Sequence, residues 1–200
     1  MTLRKRINDS KAGPLIKDQS IMVHVLLLTA IVATSLLAFT GSRVVFSAVL
    51  GYAMLLIAME DARRFIVPDA LSLPAIPIGL VAAGAYAPTG VEPLTVLAHL
   101  AAAVFAATAL YAVRFGYQRL RNREGLGLGD VKLAAVAGTW TGPDWLSLCL
   151  LFACAAALTY VLARSLVGEQ TMSRTTAIPF GTFFAPAIWL AWALSQFAAT

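Results

Sequence analysis

Residues 125–143 read GLGLGDVKLAAVAGTWTGP, and this stretch constrains the fold more than any other. It is apolar except for Asp130 and Lys132, and it opens with three glycines at alternate positions. The pattern predicts a helix that enters a membrane from a glycine-rich start, with Asp130 in its first turn or just before it. A carboxylate beside a membrane span is costly unless it is paired or hydrated, so Asp130 is a candidate functional residue.

The composition of the whole chain agrees with a membrane protein. Apolar side chains make up 60% of the 200 residues and charged side chains 12%, with a mean hydropathy of +0.80. Soluble domains are typically about 45–50% apolar and about 25% charged. These values exclude a disordered chain, a disulfide-rich secreted scaffold and an ordinary cytosolic enzyme. Cys149 and Cys154 form no CxxC pair, so neither a zinc site nor a redox couple is indicated.

Charge-free segments predict the remaining helices, because a span of about 20 apolar residues crosses a bilayer. They cover residues 19–42, 44–59, 70–91, 93–113, 145–163 and 175–200. Together with 125–143 they predict an all-α fold, a polytopic membrane bundle of about seven transmembrane helices. No segment alternates with the two-residue period of a β-barrel.

The predicted domain organisation is a basic tail followed by one transmembrane domain. The tail covers 1–21 and the domain 22–200, with an extra first helix at 22–40 and a core over about 44–197. A basic start before an apolar run also resembles a secretory signal peptide, but the run is long and no small-x-small cleavage site follows it. We therefore expect an uncleaved first helix. His24 and His99 lie within spans, where hydrogen bonds between helices are their expected role.

The basic residues predict the orientation of the chain. If the N-terminus is cytoplasmic, every Lys and Arg except Arg43 lies on the cytoplasmic side. We expect the lipid bilayer, rather than nucleic acid, to be the partner of this charge, since the basic residues are dispersed between the spans. Asp61 and Asp130 then both face the cytoplasm, one at the end of a span and the other at the start of one.

Two carboxylates that meet in a pocket of low dielectric cannot both ionise cheaply, so they share a proton. One can then deprotonate a water while its protonated partner activates a carbonyl, and the pattern does not say which does which. Two simpler alternatives remain open. Asp61 could belong to an interfacial charge cluster with Arg63 and Arg64, and Asp130 could cap a helix N-terminus.

Three motifs resemble those of the type IV prepilin peptidases, the membrane aspartic proteases that trim the leaders of pilins and pseudopilins. Gly127-Leu128-Gly129-Asp130, followed by Lys132, resembles the GxGD signature of that family. Residues 61–74, DARRFIVPDALSLP, resemble its first aspartate block, and residues 178–181, IPFG, its third motif. The three motifs span about residues 45–190 in the family's order.

The resemblance implies that Asp61 and Asp130 are the catalytic pair of an aspartic endopeptidase. Such an enzyme would cleave the short basic leader of a prepilin or pseudopilin at the cytoplasmic face of the bacterial inner membrane, without metal or cofactor. Asp69 is not implied to be catalytic, because the family accepts Asn there; we expect it to cap the helix that begins at Ala70. The sequence departs from the family at Glu60, usually apolar, and at Thr182, commonly a second proline.

Five residues are predicted to contact substrate: Gly127, Gly129, Lys132, Pro179 and Gly181. The two glycines of the signature could adopt positive φ and let segment 125–129 pair with an extended peptide, or they could permit tight helix packing. Lys132 could stabilise a nearby carboxylate or reach lipid headgroups. Pro179 and Gly181 interrupt the start of the last helix, which leaves backbone groups in need of partners. The loop 115–129 is expected to be loosely held.

Larger members that resemble this chain carry a cytoplasmic insert with paired CxxC motifs, associated with methylation of the new N-terminus. Neither the insert nor the cysteine pairs occur in this sequence. The resemblance therefore extends to the peptidase and not to the N-methyltransferase. Another function of a different class stays open, namely a proton-coupled transporter or channel in which Asp61 and Asp130 relay protons or bind an ion. A structural membrane subunit is a third possibility.

Overall fold

The structure is a computed structural model that describes residues 25–86, 93–122, 125–166 and 178–198. The predicted basic tail at 1–21 and His24 lie outside the described residues. Six helices form the described chain: α1 Val25–Ala38, α2 Ser42–Arg64, α3 Asp69–Ala85, α4 Pro93–Arg121, α5 Leu128–Leu166 and α6 Gly181–Ala198.

The predicted all-α class is confirmed, since the described ranges contain helices and no strand. In these ranges α2, α4 and α5 are long and apolar enough to cross a membrane, and α1 and α3 are shorter apolar helices. The predicted count of seven helices differs by one from the six elements of the described residues. The reason is that the segments predicted as separate spans at 125–143 and 145–163 are two helices that meet at a kink at Gly142, and they are described together as α5.

The bend in α5 has an identifiable cause. Gly142 takes φ 65° and ψ −175°, which is not helical, and Pro143 follows it. Proline has no N–H, so the carbonyl of Thr139 four residues earlier loses its usual helical donor. His99 of α4 replaces that donor, with its Nδ1 2.8 Å from the Thr139 carbonyl oxygen. The predicted role of His99 in bonding between helices is confirmed.

Helix α5 packs against α3, α4 and α6. The closest approaches occur at glycines. A methyl group added at Gly138 would come within 2.3 Å of the backbone of Ala103 in α4, and one at Gly79 of α3 within 2.6 Å of Thr139 Oγ1. Small residues that let backbones approach closely are typical of helix packing in membranes, where van der Waals contact drives association.

Trp140 fixes the first half of α5 against two neighbouring helices. Its indole Nε1–H donates to the carbonyl of Ala75 in α3 at 2.8 Å, and its ring meets that of Trp192 in α6 edge to face, with centroids 5.7 Å apart. Because a buried indole N–H needs an acceptor, this bond sets the depth of α5 relative to α3. The first turn of α5, which carries Asp130, is positioned by these contacts.

The chain divides into two compact units within α2, one ending at Tyr52 and the other beginning at Ala53. In the first unit, Ser35 of α1 donates a hydrogen bond to Ser47 of α2 at 2.9 Å, and both side chains are fully buried. All residues of the candidate site belong to the second unit.

Candidate active site

Asp61 lies in the last turn of α2 and is 5% exposed. Its carbonyl accepts a hydrogen bond from the N–H of Phe65 at 2.9 Å, which closes the helix. Phe65 has φ 56°, a left-handed conformation that is costly for a residue other than glycine. This residue turns the chain away from α2, and the segment that follows leads to α3.

Asp130 is the third residue of α5 and is 8% exposed. Its Oδ2 accepts a hydrogen bond from the backbone N–H of Gly127 at 3.2 Å. A side chain at the third helical position that returns to the N–H before the helix is half of a capping box. The capping role considered from the sequence is therefore present, and it leaves the carboxylate at the surface of a pocket.

The two carboxylates line the same pocket, which has a volume of about 270 Å³. Its remaining wall comes from the segment after α2 and from the start of α5: Phe65, Ile66, Val67, Asp69, Gly127, Leu128, Gly129 and Lys132. Asp61 and Asp130 also interact electrostatically, and Arg114 of α4 interacts with Asp130. The structure thus brings together the two residues that the sequence singled out, from elements 69 positions apart in the chain.

Thr182, in the first turn of α6, hydrogen-bonds to the carboxylate of Asp61. Its backbone N–H donates to Asp61 Oδ2 at 2.8 Å, and its hydroxyl lies 3.2 Å from the same oxygen and 3.3 Å from the carbonyl of Ala58. Gly181 makes this approach possible, because a Cβ there would lie 2.9 Å from Asp61 Oδ2. The backbone groups predicted to need partners at the start of the last helix therefore find one in Asp61.

The predicted positive φ at Gly127 and Gly129 is wrong, since the positive-φ glycines in the described ranges are Gly41 and Gly142. Gly129 is needed for space: a Cβ there would lie 2.7 Å from Cβ and Cγ2 of Val67. Of the two uses considered, close packing is the one that the structure supports for Gly129. This contact joins the first aspartate motif to the second.

Lys132 forms an ion pair with Asp69, and both residues line the pocket. The expected capping role of Asp69 is wrong. Pro68 occupies the N-cap position of α3 without a side-chain cap bond, and Asp69 is the first helical residue. Asp69 is free to pair with Lys132 because its side chain is not bonded to the helix start.

The charges next to Asp61 form a separate pair on the surface of α2. Glu60 and Arg64, one helical turn apart, are 3.1 Å apart between Oε1 and Nε. The interfacial charge cluster considered for this region therefore involves Glu60, and the buried Asp61 bonds to Thr182 instead.

The other predicted substrate contacts divide into two groups. Gly127, Gly129 and Lys132 line the pocket, whereas Pro179 and Gly181 lie outside its lining and support Asp61 through Thr182. The predicted loose loop at 115–129 is only partly a loop, because α4 continues to Arg121. The non-helical described part of that segment before α5 is Asn122 and residues 125–127.

The sequence analysis did not predict that Thr182 and Arg114 contribute to the site. In the sequence, Thr182 is a departure from the family's third motif, and Arg114 is one of several basic residues that follow a predicted span. The guanidinium of Arg114 donates to the carbonyl of Leu126, so it braces the segment before Asp130. No sequence signal marks this contact, because Arg114 and Asp130 are on different helices and only the folded chain brings them together.

Chemically, the pocket presents two nearly buried carboxylates to a space large enough for water and part of a peptide. Each carboxylate is held by a backbone N–H at a helix start, which fixes the direction of its oxygens. Such a pair can exchange protons with a bound water and with a polarised carbonyl, as general acid–base catalysis requires. His, Cys, Asp and Glu residues do not cluster into a potential metal site within the described ranges.

Comparison with known proteins gives the same assignment as the motifs. The family model described as the type IV leader peptidase family matches residues 48–162, which include both aspartates. A prepilin leader peptidase/N-methyltransferase of Escherichia coli strain K12 is 34% identical over 136 residues, covering 66% of this chain and 55% of the relative. Proteins of the same name from Pseudomonas putida and Xanthomonas campestris are 29% identical over 193 residues and 34% identical over 148 residues.

These alignments cover 96% of this chain and 63% of the Pseudomonas putida protein, and 68% of this chain and 45% of the Xanthomonas campestris protein. The chain spans about half the length of the curated relatives it matches. No solved structure gives a significant match. The resemblance that the three motifs predicted is confirmed: this chain belongs to the type IV leader peptidase family.

Proposed function

We propose that this protein is a membrane aspartic endopeptidase that removes the short basic leader of prepilin or pseudopilin substrates. The observation that carries the proposal is that Asp61 and Asp130 line one pocket, each almost fully buried. Family membership supports the substrate class, since the curated relatives are named prepilin leader peptidases. The proposal is confined to the peptidase reaction and does not include methylation of the product.

In the proposed mechanism the two aspartates hold one proton between them. The ionised carboxylate takes a proton from water as the water oxygen bonds to the scissile carbonyl carbon, and the protonated partner gives its proton to the carbonyl oxygen. The resulting gem-diol returns a proton to the newly ionised carboxylate while the other carboxyl protonates the leaving nitrogen. The C–N bond then breaks, one water has been consumed, and the pair again holds one proton.

The rest of the pocket lining suits an extended peptide. Gly127 offers no side chain beside Asp130, and the exposed side chains of Phe65 and Ile66 flank the same opening. Residues 125–127 are non-helical, so no helical hydrogen bond uses their backbone groups, although the Gly127 N–H donates to Asp130 and the Leu126 carbonyl accepts from Arg114. An extended segment would pair with the other backbone groups of this stretch. Gly127, Gly129 and Lys132 are therefore proposed to contact substrate directly, and Pro179 and Gly181 to act through the position of Asp61.

The positions of the aspartates favour a peptidase over a proton relay. Relay carboxylates commonly lie within the membrane along an ion pathway. Asp61 is in the last turn of α2 and Asp130 in the first turn of α5, so both lie at helix ends. The distribution of Lys and Arg supports a cytoplasmic N-terminus and a site that faces the cytoplasm.

Cleavage of a prepilin in detergent micelles tests this function. We expect Asp61→Asn and Asp130→Asn each to lower kcat/KM by about a thousandfold or more, because each removes a proton-transfer group. Asp144→Asn is the matched control, since Asp144 is exposed on α5 and lies outside the pocket lining. Near-normal turnover of either dyad variant would rule out the proposal. Proton flux into liposomes that both variants abolish, without prepilin cleavage by the wild type, would support the transporter alternative.

The side of the membrane is tested by labelling. In a Cys149→Ser/Cys154→Ser background, a cysteine introduced at the exposed Arg121, at the end of α4, should react with an impermeant maleimide only after the cytoplasmic side is opened. Reaction in intact cells would contradict the proposed orientation.

Mass spectrometry of the cleaved product with a methyl donor present should show an unmethylated N-terminus.

A further inference from the structure

The two aspartates are held by unequal sets of hydrogen-bond donors. Asp61 Oδ2 receives the backbone N–H of Thr182 at 2.8 Å and lies 3.2 Å from the hydroxyl of the same residue. Asp130 Oδ2 receives one backbone N–H, that of Gly127, at the longer distance of 3.2 Å. The dyad is therefore asymmetric before any substrate binds.

The unequal hydrogen bonds place the two carboxylates in different electrostatic environments. Donors aimed at a carboxylate stabilise its ionised form more than its neutral form, because the bond to a charged acceptor is the stronger one. Both backbone donors lie at helix starts, Thr182 in the first turn of α6 and Gly127 just before α5, so the partial positive charge of a helix N-terminus acts on both carboxylates. The two carboxylates therefore differ in the number and length of their donor bonds, which are more numerous and shorter at Asp61.

Because Gly181 has no side chain, the start of α6 can lie close to the carboxylate of Asp61. A Cβ at Gly181 would lie 2.9 Å from Oδ2 and 3.0 Å from Cγ of Asp61, so the start of α6 approaches the carboxylate as closely as a backbone can. The hydroxyl of Thr182 has a single hydrogen and two acceptors in range, Asp61 Oδ2 and the Ala58 carbonyl. The backbone N–H also lies 3.3 Å from the Pro179 carbonyl but is closer to Asp61 Oδ2, at 2.8 Å, so it is the main donor and the hydroxyl adds a second.

We propose that Thr182 is a positioning residue that keeps Asp61 as the ionised member of the dyad, so that Asp61 is the base and Asp130 carries the shared proton. This inference rests on the proposed peptidase function and deepens it by assigning the two roles. The other titratable groups that line the pocket are Asp130, Asp69 and Lys132; Asp69 and Lys132 pair with each other. Arg114, which lies in α4, interacts electrostatically with Asp130.

Three substitutions at position 182 test the assignment through the pH profile of kcat/KM. Thr182→Val removes the hydroxyl at nearly constant volume, Thr182→Ser keeps it, and Thr182→Pro removes both donors at a helix start where proline is tolerated. The acidic limb reports ionisation of the base in the free enzyme. We expect it to move to higher pH by about one unit in Thr182→Val and further in Thr182→Pro, with Thr182→Ser close to wild type.

The result that overturns the inference is a wild-type acidic limb in Thr182→Val and Thr182→Pro, whether or not the maximal rate falls, because a merely structural role lowers the rate without moving the limb. Each variant must elute as a monodisperse species, and Thr182→Ser provides the internal rescue. If Asp61→Asn and Asp130→Asn are inactive while this limb stays fixed, the dyad stands and only the assignment of roles is lost.

An infrared measurement separates the inference from the enzymatic activity. Difference spectra between acidic and neutral pH, with Asp61→Asn as the reference, report the carboxylate bands of Asp61 in the protein without substrate. We expect Asp61 to be ionised at neutral pH in wild type and in Thr182→Ser, with its midpoint raised in Thr182→Val. A protonated Asp61 at neutral pH in the wild type would overturn the assignment even if prepilin were cleaved.

Discussion

Lys132 and Asp69, which both line the pocket, form an ion pair that joins the fifth residue of α5 to the first residue of α3. The two side chains are 35% and 59% exposed. Pairs with this degree of exposure contribute little to stability, because solvent screens them and both side chains lose conformational freedom. The bridge therefore contributes little to holding the bundle together.

Asp69→Asn is expected to leave both folding and catalysis largely intact. The pair should contribute no more than about 1 kcal/mol, and Asp69 donates no proton in the proposed mechanism. Thermal unfolding in detergent and prepilin cleavage check the two parts. A loss of turnover comparable with that of Asp130→Asn would contradict the distinction drawn between the three aspartates of the pocket.

Gly129→Ala should destabilise the protein by about 1–3 kcal/mol and distort the site, because the new methyl group would overlap the Val67 side chain. The double variant Val67→Ala/Gly129→Ala should recover part of the loss, since contacting positions couple. Gly116→Ala is the control: nothing lies within 4 Å of its added methyl group, and it is in the interior of α4. An equal effect of the two glycine substitutions in urea or thermal unfolding would contradict the packing explanation.

His99→Leu should cost about 1–2 kcal/mol of unfolding free energy, because the Thr139 carbonyl would lose the donor that replaces the missing N–H of Pro143. The cost should shrink in a Pro143→Ala background, where a backbone N–H is again present near the bend. Unfolding of the four proteins of this cycle in detergent measures the coupling. Strictly additive effects would show that His99 and Pro143 act independently.

Much of the fold follows from local sequence. The charge-free segments locate the helices, and the Gly142–Pro143 break is visible where two predicted spans meet. Helix ends are less predictable, because apolar length reports the bilayer rather than the helix. Helix α4 continues past its predicted end at residue 113 to Arg121. Arginines are good helix formers, and a helix can continue in water beyond the bilayer.

The candidate site was predictable in its two aspartates and not in their supports. Acidic residues at span ends are conspicuous in any apolar sequence, whereas the donor to Asp61 comes from Thr182, 121 positions away. The use of Gly129 likewise depends on Val67, which only the folded chain places beside it. A glycine that provides space and one that provides positive φ look the same in sequence.

The central claim is that Asp61 and Asp130 act as a single catalytic unit, and a double-mutant cycle of single-turnover prepilin cleavage tests it most directly. We predict that Asp61→Asn, Asp130→Asn and the double variant have nearly equal residual rates, because removing either member disables the shared proton. Losses that multiply in the double variant, each aspartate contributing its own factor, would contradict the claim.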